Sequence, residues 1–126
     1  MPGSYTVDKE RRLVTSTMRG VLTQAEVLEQ VHQLVTDPAV DPAFSQLVDC
    51  RQVTELKCSA EEVRQIATTD IFSAQSRRAF LVTDDLLYGL ARMYEIHREL
   101  RGEGGIRVFR NFDEAMAWVT AENARA

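Results

Sequence analysis

Arg78-Ala79-Phe80-Leu81-Val82-Thr83-Asp84-Asp85-Leu86-Leu87 holds a complete strand-to-helix transition. The unbroken run Ala79 to Val82 is the composition of a strand covered on both faces. Thr83-Asp84-Asp85 then places acids where the positive end of a helix dipole favours them. A helical pattern runs from about Asp85 to Arg101, and Gly102-Glu103-Gly104-Gly105 terminates it. Outward from this unit the same grammar recurs at Thr23-x-x-Glu26, Ser59-x-x-Glu62 and Asn111-x-x-Glu114. In each, a cap oxygen can accept the N3 amide while the glutamate reaches back to the cap's own N–H. Such starts alternating with β-branched runs define an α/β protein of order ββαβαβαβα, with a five-stranded mixed sheet and about four helices.

Between these starts the pattern places each element. Ser4 to Asp8 and Leu13 to Arg19 form an antiparallel hairpin across Lys9-Glu10-Arg11-Arg12, and Gly20 ends the pair. Thr15 and Thr17 alternate with Val14, Ser16 and Met18, so one sheet face is wetter. The first helix presents Val27, Leu28, Val31, Leu34 and Val35 at the helical period. Asp37-Pro38 stops it, because a residue before proline avoids the α region. A connector with a second Asp-Pro, Asp41-Pro42, is anchored by Phe44. Gln46 to Cys50 is the third strand, and Ser59 caps a short helix with Val63, Ile66 and Ala67 inward. Ile106 to Arg110 is the last strand, placed at an edge because Arg107 breaks its apolar run. The last helix turns Phe112, Ala115, Trp118 and Val119 inward.

A chain of 126 residues with 44% hydrophobic and 27% charged residues makes one globular domain, residues 1–126. A net charge of −4 disfavours nucleic acid and anionic membrane surfaces as partners. No apolar run approaches the roughly 20 residues that span a bilayer, and the start of the chain has no signal-peptide core, so a cytoplasmic protein is expected. Cys50 and Cys58 match no zinc or redox spacing and are expected as free thiols. Cys58 precedes a helix start, a place that can lower a thiol pKa.

The stretch Leu47-Val48-Asp49-Cys50-Arg51-Gln52-Val53-Thr54 through Ser59-Ala60 resembles the centre of STAS domains, the anti-sigma-factor-antagonist class. With Tyr88-Gly89-Leu90-Ala91-Arg92-Met93-Tyr94-Glu95, the pattern is closer still to the uncharacterised bacterial branch called SpoIIAA-like. The resemblance implies a single-domain β/α superhelix with strands laid down in order, an architecture shared with CRAL-TRIO lipid-binding domains. Crossovers of one hand that always step the same way put every helix on one face. The other face of the apolar fourth strand then needs a cover, and a second copy of the chain is the simplest one. Such a sheet has no topological switch point, where nucleotides usually bind, and no phosphate-cradling glycine loop follows a strand. Ser59 matches the serine that STAS antagonists phosphorylate. The motif around it departs, with Lys57 for the Asp, Cys58 for the first serine and Ala60 for the Gly. Ser59 is therefore expected as a helix cap rather than a phosphoserine.

His32 and His97 lie on helices without a carboxylate or nucleophile at a telling spacing, and His97 falls with Leu86, Leu90, Met93, Tyr94 and Leu100. No catalytic, metal or cofactor set can be assembled, so the chain reads as non-enzymatic. Asp49 and Arg51 end the third strand on the edge that carries functional loops. Arg77 and Arg78 open the fourth strand and read as solvated. Gly89 breaks the rule against glycine inside a helix, which implies the close approach of a neighbour. Tyr88, Arg92, Glu95 and Glu99 form the helix's far side, where exposed Tyr and Arg have the composition of an interaction hot spot. The expected role is binding of a protein partner or of a second copy (a homodimer), through Asp49, Arg51, Ser59, Tyr88, Gly89, Arg92 and Met93. The alternative is a carrier of an apolar small molecule or lipid, in a cleft lined by Phe44, Ile71, Phe72 and Met93. A phospho-switched anti-sigma-factor antagonist is the third reading.

Overall fold

The computed structural model describes residues 3–59, 61–62, 65, 76–100 and 105–121. Its elements are β1 (Gly3–Asp8), β2 (Leu13–Thr23), α1 (Gln24–Thr36), β3 (Ser45–Lys57), β4 (Arg78–Leu81), α2 (Asp85–Leu100), β5 (Ile106–Phe109) and α3 (Phe112–Val119). The strands lie in sequence order β1-β2-β3-β4-β5. β1 pairs with β2 antiparallel, and the remaining pairs are parallel. Val63, Ile66, Ala67, Ile71 and Phe72 lie outside the described residues, and so does most of the expected helix after Ser59.

The caps form as the sequence implies. Thr23 Oγ1 accepts the Glu26 N–H at 3.3 Å, Asp84 Oδ1 that of Leu87 at 3.0 Å, and Asn111 Oδ1 that of Glu114 at 3.0 Å. Among the described residues only Ser59 completes the reciprocal box. Its Oγ accepts the Glu62 N–H at 3.1 Å, and Glu62 Oε1 accepts the Ser59 N–H at 2.9 Å. Each Asp-Pro of the connector is a turn in which the carboxylate accepts the amide two residues on. Asp37 accepts from Ala39 at 2.8 Å and Asp41 from Ala43 at 2.9 Å. Phe44 is buried at the end of this connector, against Val14 and Leu34.

Strand alternation sorts the core onto two faces. Leu13, Leu47, Ala79 and Leu81 point to one face and pack under Ala115 and Val119 of α3. Met18, Val48, Phe80 and Val82 point to the other, toward Val27 of α1 and Leu87 of α2. The crossover helices α1 and α2 thus share one face, as uniform stepping requires. α3 follows the last strand, no crossover constrains it, and it folds onto the opposite face. The expectation of every helix on one face is corrected accordingly. The cover that called for a second copy is supplied in part by the chain itself.

Two strands run past their expected ends. β2 continues through Gly20 to Thr23, and β3 reaches Lys57. The pairing slips by one residue between Thr17 and Arg19, and again between Gly20 and Val21; each slip inserts an extra residue on β3. Gly20, on β2 beside the second slip, has φ 70°, in the left-handed region that glycine adopts at little cost. β4 pairs β3 only as far as Asp49, so beyond it one edge of β3 is open and polar Arg51, Gln52, Thr54 and Glu55 are tolerated there.

The helix stripes are rotated from the expected ones. In α1, Gln30 and Leu34 are buried while Leu28 and Val35 are exposed. In α2, Leu87, Tyr94, Glu95 and Arg98 are buried, His97 is half-buried, and Leu86, Ile96 and Leu100 are exposed. Phe112 is likewise exposed, beneath the Arg51 guanidinium at 5.3 Å. Some of the polar groups turned inward find partners, as Glu95 does with the Val108 N–H.

Candidate functional site

The residues singled out from the sequence fall in separate places. Asp49 and Arg51 lie within β3, not at its end. They form a two-pronged ion pair, Nε to Oδ1 at 3.0 Å and Nη2 to Oδ2 at 2.8 Å, and Asp49 Oδ1 also accepts the Arg51 N–H. Burial pushes the Asp49 carboxyl up, but the bonds from Arg51 outweigh it and hold the group below its ordinary range. This pair braces the bulged strand.

Tyr88 is half-buried, with the Arg110 guanidinium 5.0 Å from its ring centre, and Arg110 also donates to Asp85 at 2.6 Å and to the Thr83 carbonyl at 2.5 Å. Arg92 pairs with Glu95, which is buried and not on a solvated far side. Glu95 Oε1 accepts the Val108 N–H at 3.0 Å, so this carboxylate satisfies a backbone donor on the edge strand β5. Met93 packs beside Tyr94, Ile106, Cys58 and Phe80. Gly89 is exposed, and a Cβ built on it meets nothing within 4 Å. The neighbour expected to approach Gly89 is absent among the described residues.

What the fold does assemble is a partly open cavity of about 150 Å³ between the sheet and helices α1 and α2. Val48, Phe80 and Val82 form its floor; Val27 and Val31 of α1, and Leu87, Leu90 and Ala91 of α2, form its walls. It is not the cleft expected from the sequence. Phe44 is packed away in the core, Met93 does not line it, and Ile71 and Phe72 lie outside the described residues.

One end of the cavity is polar. Gln46 and Arg78 sit opposite each other in the register of β3 and β4, one row below Val48 and Phe80. Gln46 Nε2 donates to the buried Ser16 hydroxyl at 2.8 Å, and Gln46 Oε1 accepts from Arg78 Nε at 3.2 Å. Arg78 Nη1 donates to the Tyr94 hydroxyl at 2.9 Å. The guanidinium also lies 5.6 Å from the Phe80 ring centre and 5.8 Å from that of Tyr94, two rings that meet edge-on. Arg78 is therefore not a solvated strand opener. Nor is Arg77, whose guanidinium stacks 4.6 Å from Trp118 on the opposite face. Gln30 of α1 also lines the cavity; it is buried, and among the described residues its Nε2 has no hydrogen-bond partner. The sequence did carry a signal for this end: Ser16, Gln46 and Arg78 are polar at positions whose strand neighbours two residues away face the core.

Both cysteines line the cavity as well. Burial, with the Asp49 charge second, pushes the Cys50 thiol up to about 12. Burial and then Glu62 raise that of Cys58 too, opposite to the lowering a helix start can bring. Among the described residues no cluster of His, Cys, Asp and Glu fits a metal ion.

The five strands in sequence order, antiparallel only at the first pair, can be set beside solved structures. An uncharacterised protein of the DUF3478 family from Shewanella loihica, with a SpoIIAA-like fold, superposes with a TM-score of 0.59 over 93% of both chains. The fold is SpoIIAA-like. Identity to that protein is 14%, so the SpoIIAA-like comparison speaks to architecture alone. No family model matches the sequence, and no curated protein does. No helix among the described residues is long and apolar enough to cross a membrane. Within the SpoIIAA-like frame, the cavity lies on the face that the crossover helices share.

Proposed function

We propose that this chain is a non-enzymatic binding protein that takes up a small, largely apolar molecule between its sheet and helices α1 and α2. The observation that carries this reading is the apolar cavity of about 150 Å³. Its apolar walls lack the packing contacts that an apolar occupant would supply, and a cavity of similar volume in another protein binds benzene. Benzene titrated into the protein should shift the methyl NMR resonances of Leu22, Val48 and Val82 saturably. Ala91→Phe, which fills the cavity from α2, should abolish the shifts. Unmoved wild-type resonances would refute the reading.

A second reading, docking of another protein or a second copy, is favoured by the outward side of α2. Leu86 and Leu100 are 75% and 79% exposed there, together with Ile96, around the open Gly89. Sedimentation of the wild type against Leu86→Glu/Leu100→Glu checks it: a concentration-dependent dimer lost in the double variant supports it, and a monomer throughout removes self-association.

A further inference from the structure

Arg78 is the feature of the cavity that an apolar occupant leaves unexplained. Its guanidinium is bound through Nε to Gln46 and through Nη1 to Tyr94, and among the described residues no carboxylate pairs with it. Arg78 is half-buried, and a cation partly withdrawn from water beside apolar walls favours an opposite charge or further hydrogen bonding there. Both of its partners here are neutral. Nη2 carries no hydrogen bond among the described residues. Tyr94 accepts from Arg78, so its own hydroxyl proton is available to donate. The amide of Gln30, whose Nε2 has no partner among the described residues, lines the same cavity.

We infer that the missing counter-ion belongs to the ligand, and that the cavity takes a small monocarboxylic acid with a compact apolar body about the size of a benzene ring. The inference rests on the cavity reading above and adds the chemistry of the head group. The register gives the pose. The carboxylate lies at the row of Gln46 and Arg78, where Nη2 and the Tyr94 hydroxyl both donate to it. The compact apolar body then lies against Phe80 and Val48, one row along the strands. Arg suits this task because its planar fork is held by two bonds and keeps further donors in fixed directions. The chemistry is recognition only; no bond is made or broken.

Calorimetric titration with phenylacetate and with its neutral analogue 2-phenylethanol tests the assignment. Wild type should bind phenylacetate about 10–100-fold more tightly, the range expected for hydrogen bonds to a charged group. Arg78→Met should remove that preference while leaving 2-phenylethanol within about 3-fold, and Tyr94→Phe, which keeps the ring, should remove part of it. Should Arg78→Met fail to fold, Tyr94→Phe and the wild-type comparison suffice. Equal binding of both probes by wild type overturns the carboxylate assignment and leaves the cavity reading standing. Binding of neither probe, with no benzene response, overturns both. Binding of neither probe with a benzene response intact overturns the carboxylate assignment alone.

Discussion

Gly89→Ala offers a clean test of how α2 meets its surroundings. The sequence reading expects a methyl group there to collide with a packed neighbour and to destabilise the protein. The structure reverses the sign. Gly89 is exposed, its backbone is not among the glycines of positive φ, and its Cβ would meet open space. Only two effects remain, the better helix propensity of alanine and the smaller entropy of the unfolded chain. Together they are worth about 0.5–1 kcal/mol of added stability. With an unfolding entropy near 2.1 cal/mol/K per residue, a chain of this length gains about 2–4 °C in Tm. Thermal unfolding by circular dichroism, repeated over a tenfold range of protein concentration, is the assay. A Tm that is unchanged or lower would refute the reasoning. If the loss appeared only at high concentration, the approaching neighbour would be a second molecule.

Glu95→Ala should cost about 1–3 kcal/mol in urea unfolding, because it strands the Val108 N–H; Glu95→Gln, which keeps an acceptor, should cost less. Ser59→Ala should lower stability by about 1 kcal/mol through loss of the cap, read from the same urea transition. Tyr5 donates to Asp37 at 2.7 Å, and that bond first, then the Ala39 amide, holds the Asp37 carboxyl below its ordinary range. A carboxyl depressed on folding contributes stability above its unfolded pKa of about 3.9 and loses it as pH falls through the folded value. The deficit of Tyr5→Phe in unfolding experiments should therefore be present at pH 7 and shrink below about pH 4; a deficit independent of pH would refute the coupling. With its thiol near 12, Cys50 should resist iodoacetamide at pH 8 in the folded protein, as mass spectrometry would show, and modification at the rate of the unfolded chain would contradict its burial.

The sequence by itself determined the local grammar. Caps at Thr23, Ser59 and Asn111, the acids at the start of α2, the stop at Asp37-Pro38, and the hairpin of β1 with β2 all depend on neighbours a few residues away. Short-range hydrogen bonds and backbone sterics decide such features wherever the chain later goes. The element order followed from them, and with the resemblance it led to the SpoIIAA-like architecture. Only the tertiary structure decided which side of each helix the sheet pulls inward, that α3 crosses to the opposite face, and that β2 and β3 run on through paired bulges. Each of these turns on packing between residues distant in the chain, which periodicity alone does not encode. The candidate site shows the same division. Asp49, Arg51, Tyr88 and Arg92 have the composition of a binding surface, yet Asp49 and Arg51 pair with each other, Arg92 pairs with Glu95, and Tyr88 meets the Arg110 guanidinium. Gln46, Arg78 and Tyr94 looked ordinary on their own elements. They became a polar end only when β3, β4 and α2 were brought together around an apolar cavity.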